Sequence, residues 1–325
     1  MKNKALVNEF LALALLASLG APAAAAVRAE TRSRIQGIQA AVKEAGADWV
    51  AGETEVSEAD DAMLTGFDPQ PPVGPEAPDP ATRTLPRTLD WRDFGGKNFV
   101  TAPKSQAKCG SCWAFAMTGA LEAYVLRTKN IPGTDLDLSE QVLLSCSGAG
   151  TCKGGKLYPE FIKDKGLPAE TAYPYAAQNG ACSAAAAGWQ AGAYKIADWG
   201  IIWGGSGDRL KRALAAYGPL TTSMLVFEDF KHYKSGVYSH VSGKYLGGHA
   251  VLLVGYNDDK QYFIVKNSWG TKWGEEGFFR ISYSQMKSLV FFGGVYSVAY
   301  YAGSGGKSAG EIPVRGFLQA EGFLK

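Results

Sequence analysis

Gln106-Ala107-Lys108-Cys109-Gly110-Ser111-Cys112-Trp113 runs directly into a proline-free segment, Ala114–Arg127. Phe115, Leu121, Tyr124 and Val125 recur there at core-like spacings, which predicts a buried helix starting beside Cys112. Cys109-x-x-Cys112 by itself has three readings. A thioredoxin-like redox pair needs a surrounding βαβ pattern, and none is present. Half a zinc site needs a second Cys-x-x-Cys or paired histidines, and the chain has only three His. The third reading makes one thiol structural and the other a nucleophile at a helix start. It requires a base and an orienting group elsewhere in the chain.

Both are found downstream. His249 lies in Gly247-Gly248-His249-Ala250-Val251, 137 residues after Cys112. Asn267 lies in Lys266-Asn267-Ser268-Trp269-Gly270, 155 residues after Cys112. Thiol reactivity is limited by the thiolate fraction, and a helix N-terminus at Cys112 favours the negative charge. A neighbouring His249 supplies the imidazolium partner and returns the proton to a leaving amine. The amide of Asn267 can hold the imidazole without adding a charge. Gln106, six residues before Cys112, can donate its side-chain amide to an oxyanion alongside the Cys112 N–H. Two other motifs fail: Gly306-Lys307-Ser308 lacks the first glycine of a phosphate loop because position 301 is Tyr, and Gly204–Gly207 lacks dinucleotide-loop spacing. His232 and His240 sit in no such context and are expected at the surface.

The chain resembles the papain/cathepsin family of cysteine peptidases. The resemblance rests on Leu85-Pro86, Asp90-Trp91-Arg92, Gln106–Phe115, Leu138-Ser139-Glu140-Gln141, Cys152-x-Gly154-Gly155, Tyr173-Pro174-Tyr175, Gly248-His249-Ala250 and Asn267-Ser268-Trp269-Gly270, through to Trp273-Gly274-Glu275. These stand in family order over about 85–301. The resemblance implies an α+β papain-like fold, with a helical half, an antiparallel β-barrel-like half and a cleft between them. It implies Cys112 as nucleophile, His249 as base and acid, Asn267 as orienter and Gln106 as oxyanion donor. Trp269 would shield the His–Asn pair, and Gly154 and Gly155 would offer backbone to an extended substrate. It further implies disulfides Cys109–Cys152 and Cys146–Cys182, which leave Cys112 as the odd thiol. Leu157, Ala250 and residues near Ser223 are the expected side-chain pocket. No metal or cofactor is implied. The partners expected are protein or peptide substrates and the chain's own pro-segment, with the enzyme acting as a monomer.

The sequence also departs from that family. The long pro-segment pattern of many plant and lysosomal members is absent, leaving Ala47-Asp48-Trp49-Val50-Ala51-Gly52 as the expected cleft-blocking element. No histidine-rich insertion follows Gly155, which favours an endopeptidase over a carboxypeptidase. Two competing functions use the same fold: a binding protein that has lost catalysis, and an acyl transferase that uses the same thioacyl intermediate.

The flanks of the chain complete its organisation. Lys2 and Lys4, the apolar run Phe10–Leu19 and Ala23–Ala26 read as a signal peptide over 1–26. That implies secretion to the periplasm or outside the cell, where disulfides persist. The absence of any Asn-x-Ser/Thr and the alanine-rich leader lean towards a bacterial source. Residues 27–84 carry five basic and eleven acidic residues, net −6, starting with helical spacing and ending in a proline-rich linker over 68–86. This is the expected removable pro-segment. Residues 85–301 are expected to be the peptidase domain, helical over about 98–198 and sheet-rich over about 199–301. A glycine-containing, flexible tail is expected over 302–325. Residues 85–325 carry 26 basic and 19 acidic residues, net +7, so acid-loosened electrostatic docking of the pro-segment is expected. The whole chain's formal net charge of +2 gives no footprint for nucleic acid, and beyond the leader no apolar run is long enough for a membrane span.

Overall fold

A computed structural model describes residues 28–80, 85–204 and 206–302. The expected signal peptide and nearly all of the expected tail lie outside these residues. Helix α1 (28–44) opens the described chain, burying Ile35, Ile38 and Val42, three residues at helical spacing. Strand β1 (Trp49–Ala51), the short helix α2 (Asp61–Leu64) and strand β2 (Thr88–Asp90) follow. Asp60 caps α2, its side chain accepting from the N–H of Ala62.

Helix α3 (Cys112–Thr128) is buried from Cys112 through Leu126. Such an all-round apolar helix has to sit between layers, and α3 packs against strands of the large sheet on one side and α4 (Glu140–Cys146) on the other. The hairpin β3 (Gly150–Thr151) and β4 (Gly154–Gly155) lies against Trp113. A Cβ at Gly155 would fall 2.5 Å from the Trp113 ring, so only glycine allows this approach. Helix α5 (Pro159–Asp164) starts with proline at its first turn, where the missing N–H costs nothing.

The remaining elements are β5 (Asp198–Trp203), α6 (Gly207–Tyr217), β6 (Leu220–Phe227), β7 (Tyr233–Tyr238), β8 (Tyr245–Asn257), β9 (Tyr262–Lys266), β10 (Phe278–Ser282) and β11 (Tyr296–Tyr301). They form one sheet in the order β1-β7-β10-β9-β8-β6-β11-β5, with β2 paired to β8. The papain-like mixture of helix and sheet is as the sequence implied. One pairing departs from an all-antiparallel expectation: β10 runs parallel to β7.

Two expectations about the acidic segment need correction. Trp49–Ala51 does not cross a cleft; it adds to the sheet as β1, pairing antiparallel with β7 at Gly236, Ser235 and Tyr233. The proline-rich stretch is extended, as its composition demands, yet it is no free spacer. Ala77 is buried, and Pro75 and Ala77 exchange backbone hydrogen bonds with Ile201 at 2.8 Å. Neither remaining histidine is a surface residue. His232 is fully buried beneath the acidic segment, its Nδ1 3.0 Å from Ser57 Oγ. The covering chain is tied down by Gly52, whose N–H donates to the His232 carbonyl, and by the Thr54 hydroxyl, which donates to the Lys231 carbonyl. His240 is half-buried, 3.0 Å from the buried carboxylate of Asp229, and stacks on Phe227.

Candidate active site

Cys112 is the first residue of α3, and its Sγ accepts from the backbone N–H of Ala250 at 3.5 Å. That contact joins the helix to β8, on which His249 is the preceding residue. β9 ends at Lys266, opposite Leu252 of β8, which delivers Asn267 to the same level. His249 Nε2 and Asn267 Oδ1 are 2.7 Å apart. The other imidazole nitrogen, Nδ1, is buried and has no hydrogen-bond partner among the described residues. The Trp269 ring lies 5.0 Å from the imidazole and is itself fully buried. Three of the predicted site residues therefore converge from a helix and two adjacent strands.

Gln106 is gripped at several points. Its backbone N–H donates to the Ser268 carbonyl at 2.8 Å. Its carbonyl accepts from the Tyr175 hydroxyl at 2.9 Å, and its Oε1 accepts from the Ser268 hydroxyl at 2.6 Å. Its Nε2 is thereby left to donate to the carbonyls of Met63, in the acidic segment, at 2.9 Å and of Cys109 at 3.1 Å. Cys109–Cys152 and Cys146–Cys182 are both disulfide-bonded, and Cys112 is the free thiol. The first bridge ties the segment before α3 to the β3–β4 hairpin.

The Met63 contact belongs to a longer one. Residues 61–68 of the acidic segment pass over Cys112's neighbours. Trp269 Nε1 donates to the Leu64 carbonyl at 3.1 Å. The N–H groups of Gly66 and Phe67 both donate to the Gly248 carbonyl at 3.0 Å. Gly155 N–H donates to the Gly66 carbonyl at 2.8 Å, and Asp68 N–H returns a bond to the Gly155 carbonyl at 2.9 Å. The backbone of Gly155, expected to bind substrate, is thus hydrogen-bonded to the chain's own residues. Gly66 has φ +128, and a Cβ there would fall 2.4 Å from the Gly110 carbonyl oxygen. Sequence reasoning missed this crossing. The available signal was the Asp60 cap ahead of a short apolar turn ending in glycine.

Burial sets the electrostatics of this arrangement. It pushes the Cys112 thiol up to about 12, outweighing backbone N–H groups that favour the thiolate. It pulls His249 down to about 4, against the hydrogen bond to Asn267. Burial thus disfavours the charged form of both groups in this closed arrangement. Behind them lies a charged cluster that the sequence reading did not pick out. Lys104 sits 3.0–3.1 Å from Glu140 and Glu122, and Lys266 donates to Thr101 at 2.8 Å. Burial raises Glu140 to about 8 despite Lys104 and lowers Lys266. Of the expected pocket residues, Leu157, Ala250 and Ser223 are all buried. Among the described residues, no group of three or more His, Cys, Asp or Glu is arranged to hold a metal ion.

Known proteins share this fold and much of this sequence. Residues 85–295 match the model of the papain family of cysteine proteases. A cathepsin L-like proteinase of Fasciola hepatica is 37% identical over 237 residues, covering 70% of this chain and 67% of that protein. Cysteine proteinase 3 of Solanum lycopersicum is 41% identical over 208 residues, covering 61% of this chain and 56% of its own length. The structure of digestive procathepsin L2 from the Tenebrio molitor larval midgut superposes with a TM-score of 0.68 at 26% identity, covering 84% of this chain and 90% of that one. These relatives come from a fluke, a plant and a beetle, and give no support to the bacterial leaning. The chain belongs to the papain family of cysteine proteases.

Proposed function

We propose that this chain is the zymogen of a secreted cysteine endopeptidase, with 1–26 a signal peptide, 27–84 an inhibitory pro-segment, 85–301 the peptidase domain and 302–325 a tail. Cys112 is the nucleophile. When residues 61–68 leave, water and substrate dipoles reach the site, so the thiol's pKa falls and the imidazole's rises. The thiol proton passes to His249, the Cys112 thiolate attacks the scissile carbonyl, and the oxyanion of the tetrahedral adduct receives hydrogen bonds from Gln106 Nε2 and the Cys112 N–H. His249 donates its proton to the leaving amine, forming a thioacyl intermediate. It then takes a proton from the water that hydrolyses that intermediate. Asn267 holds the imidazole, and Trp269 keeps bulk water from the pair. Gly154 and Gly155 bind extended substrate backbone, with Leu157 and Ala250 beside the side-chain pocket. No cofactor takes part in this reading.

The observation that carries the proposal is the convergence of Cys112, the His249–Asn267 pair and the amide of Gln106, which already donates to a peptide carbonyl at Met63. After release of the pro-segment, the wild-type chain is expected to cleave internal bonds in a peptide library. Cys112→Ala and His249→Ala should abolish cleavage, and Asn267→Ala should lower kcat more than it changes KM. Unimpaired cleavage by Cys112→Ala would overturn the proposal.

A further inference from the structure

β5 ends the sheet, with β11 on one side and no other named strand on the other. Such an edge is a template for an added strand and is normally covered. Here the cover is Gly74–Asp79. Ile201 N–H donates to the Pro75 carbonyl, and Ala77 N–H donates to the Ile201 carbonyl, both at 2.8 Å. The body is shaped for this approach. A Cβ at Gly200 would fall 2.6 Å from Ala77 Cα, so the strand's own glycine makes room for the added backbone. A Cβ at Gly74 would fall 2.0 Å from the Trp199 ring, so the occupant passes flat against that indole. From α6, Tyr217 donates to the Pro78 carbonyl, Arg209 pairs with Glu76, and Arg212 stands 3.5 Å from Asp79. The path is continuous with residues 61–68: the Phe67 ring lies 6.3 Å from that of Tyr296, and the Tyr296 hydroxyl donates to the Gln70 carbonyl at 3.0 Å.

We propose that the β5 edge, with Arg209, Arg212 and Tyr217, is a peptide-docking strip that takes an extended acidic segment of a polypeptide substrate once the pro-segment has left. The main-chain bonds at Ile201 supply the strand addition and the room at Gly200 admits it. The two arginines select an occupant with carboxylates three residues apart, as in Glu76 and Asp79. Being partly exposed, these ion pairs contribute selectivity more than affinity. Segments that dock here would be held on the same face as the cleft, and acidic polypeptides would be favoured substrates.

The test does not depend on peptidase chemistry. The full chain carrying Cys112→Ala is given Glu76→Lys, Ala77→Pro and Asp79→Lys, which remove the Ala77 donor and repel the arginines. An end-labelled peptide of the natural 69–80 sequence is then titrated by fluorescence anisotropy. Binding should be at least tenfold tighter to this vacated chain than to Cys112→Ala alone. It should weaken at least tenfold on adding Gly200→Val, and also on adding Arg209→Glu with Arg212→Glu. Should the vacated chain fail to fold, Glu76→Gln with Asp79→Asn serves in its place. Equal binding to vacated and parent chains, indifference to Gly200→Val, or closure of the edge by dimerisation seen in light scattering would each overturn the proposal.

Discussion

Substituting Gly66 with alanine should unseat the segment that covers Cys112. The added methyl would lie 2.4 Å from the Gly110 carbonyl oxygen and 2.9 Å from its carbon, both backbone atoms that have no side-chain freedom to yield. The φ of +128 adds strain of about 1–3 kcal/mol for any residue with a Cβ. Relief requires this stretch to move, and the bonds to Gly248 and Gly155 would go with it, each with a net contribution of about 1 kcal/mol. A combined cost of about 3 kcal/mol corresponds to on the order of 100-fold more time with Cys112 uncovered. The assay is iodoacetamide labelling of the intact full chain at pH 7, followed by mass spectrometry at Cys112. Labelling in Gly66→Ala should be faster by one to two orders of magnitude, with the melting of the sheet-rich core little changed. A folded Gly66→Ala chain that labels within twofold of wild type would mean that residues 61–68 do not control access to Cys112.

Other consequences concern pH and the disulfides. His232, held down to about 4 by burial and the nearby Lys231 and Arg34 charges, binds its proton more readily once the acidic segment lifts away. Docking should therefore weaken as pH falls from about 6.5 to about 4 and level off below, by at most about 3 kcal/mol. Urea titrations of the Cys112→Ala chain across that range should show the loss, and His232→Gln should flatten it; an unchanged slope would exclude His232 as the cause. Removing Cys146–Cys182, which closes a loop of 36 residues, should cost about 3 kcal/mol. Calorimetry of Cys146→Ser with Cys182→Ser should show a melting temperature lower by roughly 10 °C.

The elements that build the site were legible in the sequence because each rests on local chemistry. The proline-free run after Cys112 is α3, extended by a residue or two at each end. The apolar runs at 246–256 and 261–266 are β8 and β9 within one residue of their ends. Both disulfide pairings implied by resemblance are present. What escaped was long-range docking with no periodicity behind it. β1 has three residues, too few for an alternation to register, and its strand character comes from β7. Residues 61–68 look like an acidic loop, because their hydrogen bonds go to Gly155, Gly248, Gln106 and Trp269, all distant in sequence. His232 looked like a surface residue for the same reason: its cover arrives from residues 52–57, about 175 positions earlier. The net −6 of the acidic segment against the net +7 of the rest was readable. Its realisation as Asp61 between Lys231 and Lys244, and Glu76 on Arg209, was not.

The central claim is that the Cys112 thiolate carries peptide cleavage once residues 61–68 have gone. Active-site titration tests it most directly. The chain freed of its pro-segment is treated with increasing epoxide thiol reagent, and residual peptidase activity is plotted against reagent bound at Cys112. A straight line reaching zero activity at one reagent per chain, all of it on Cys112, is expected. Activity that survives full modification of Cys112 would contradict it.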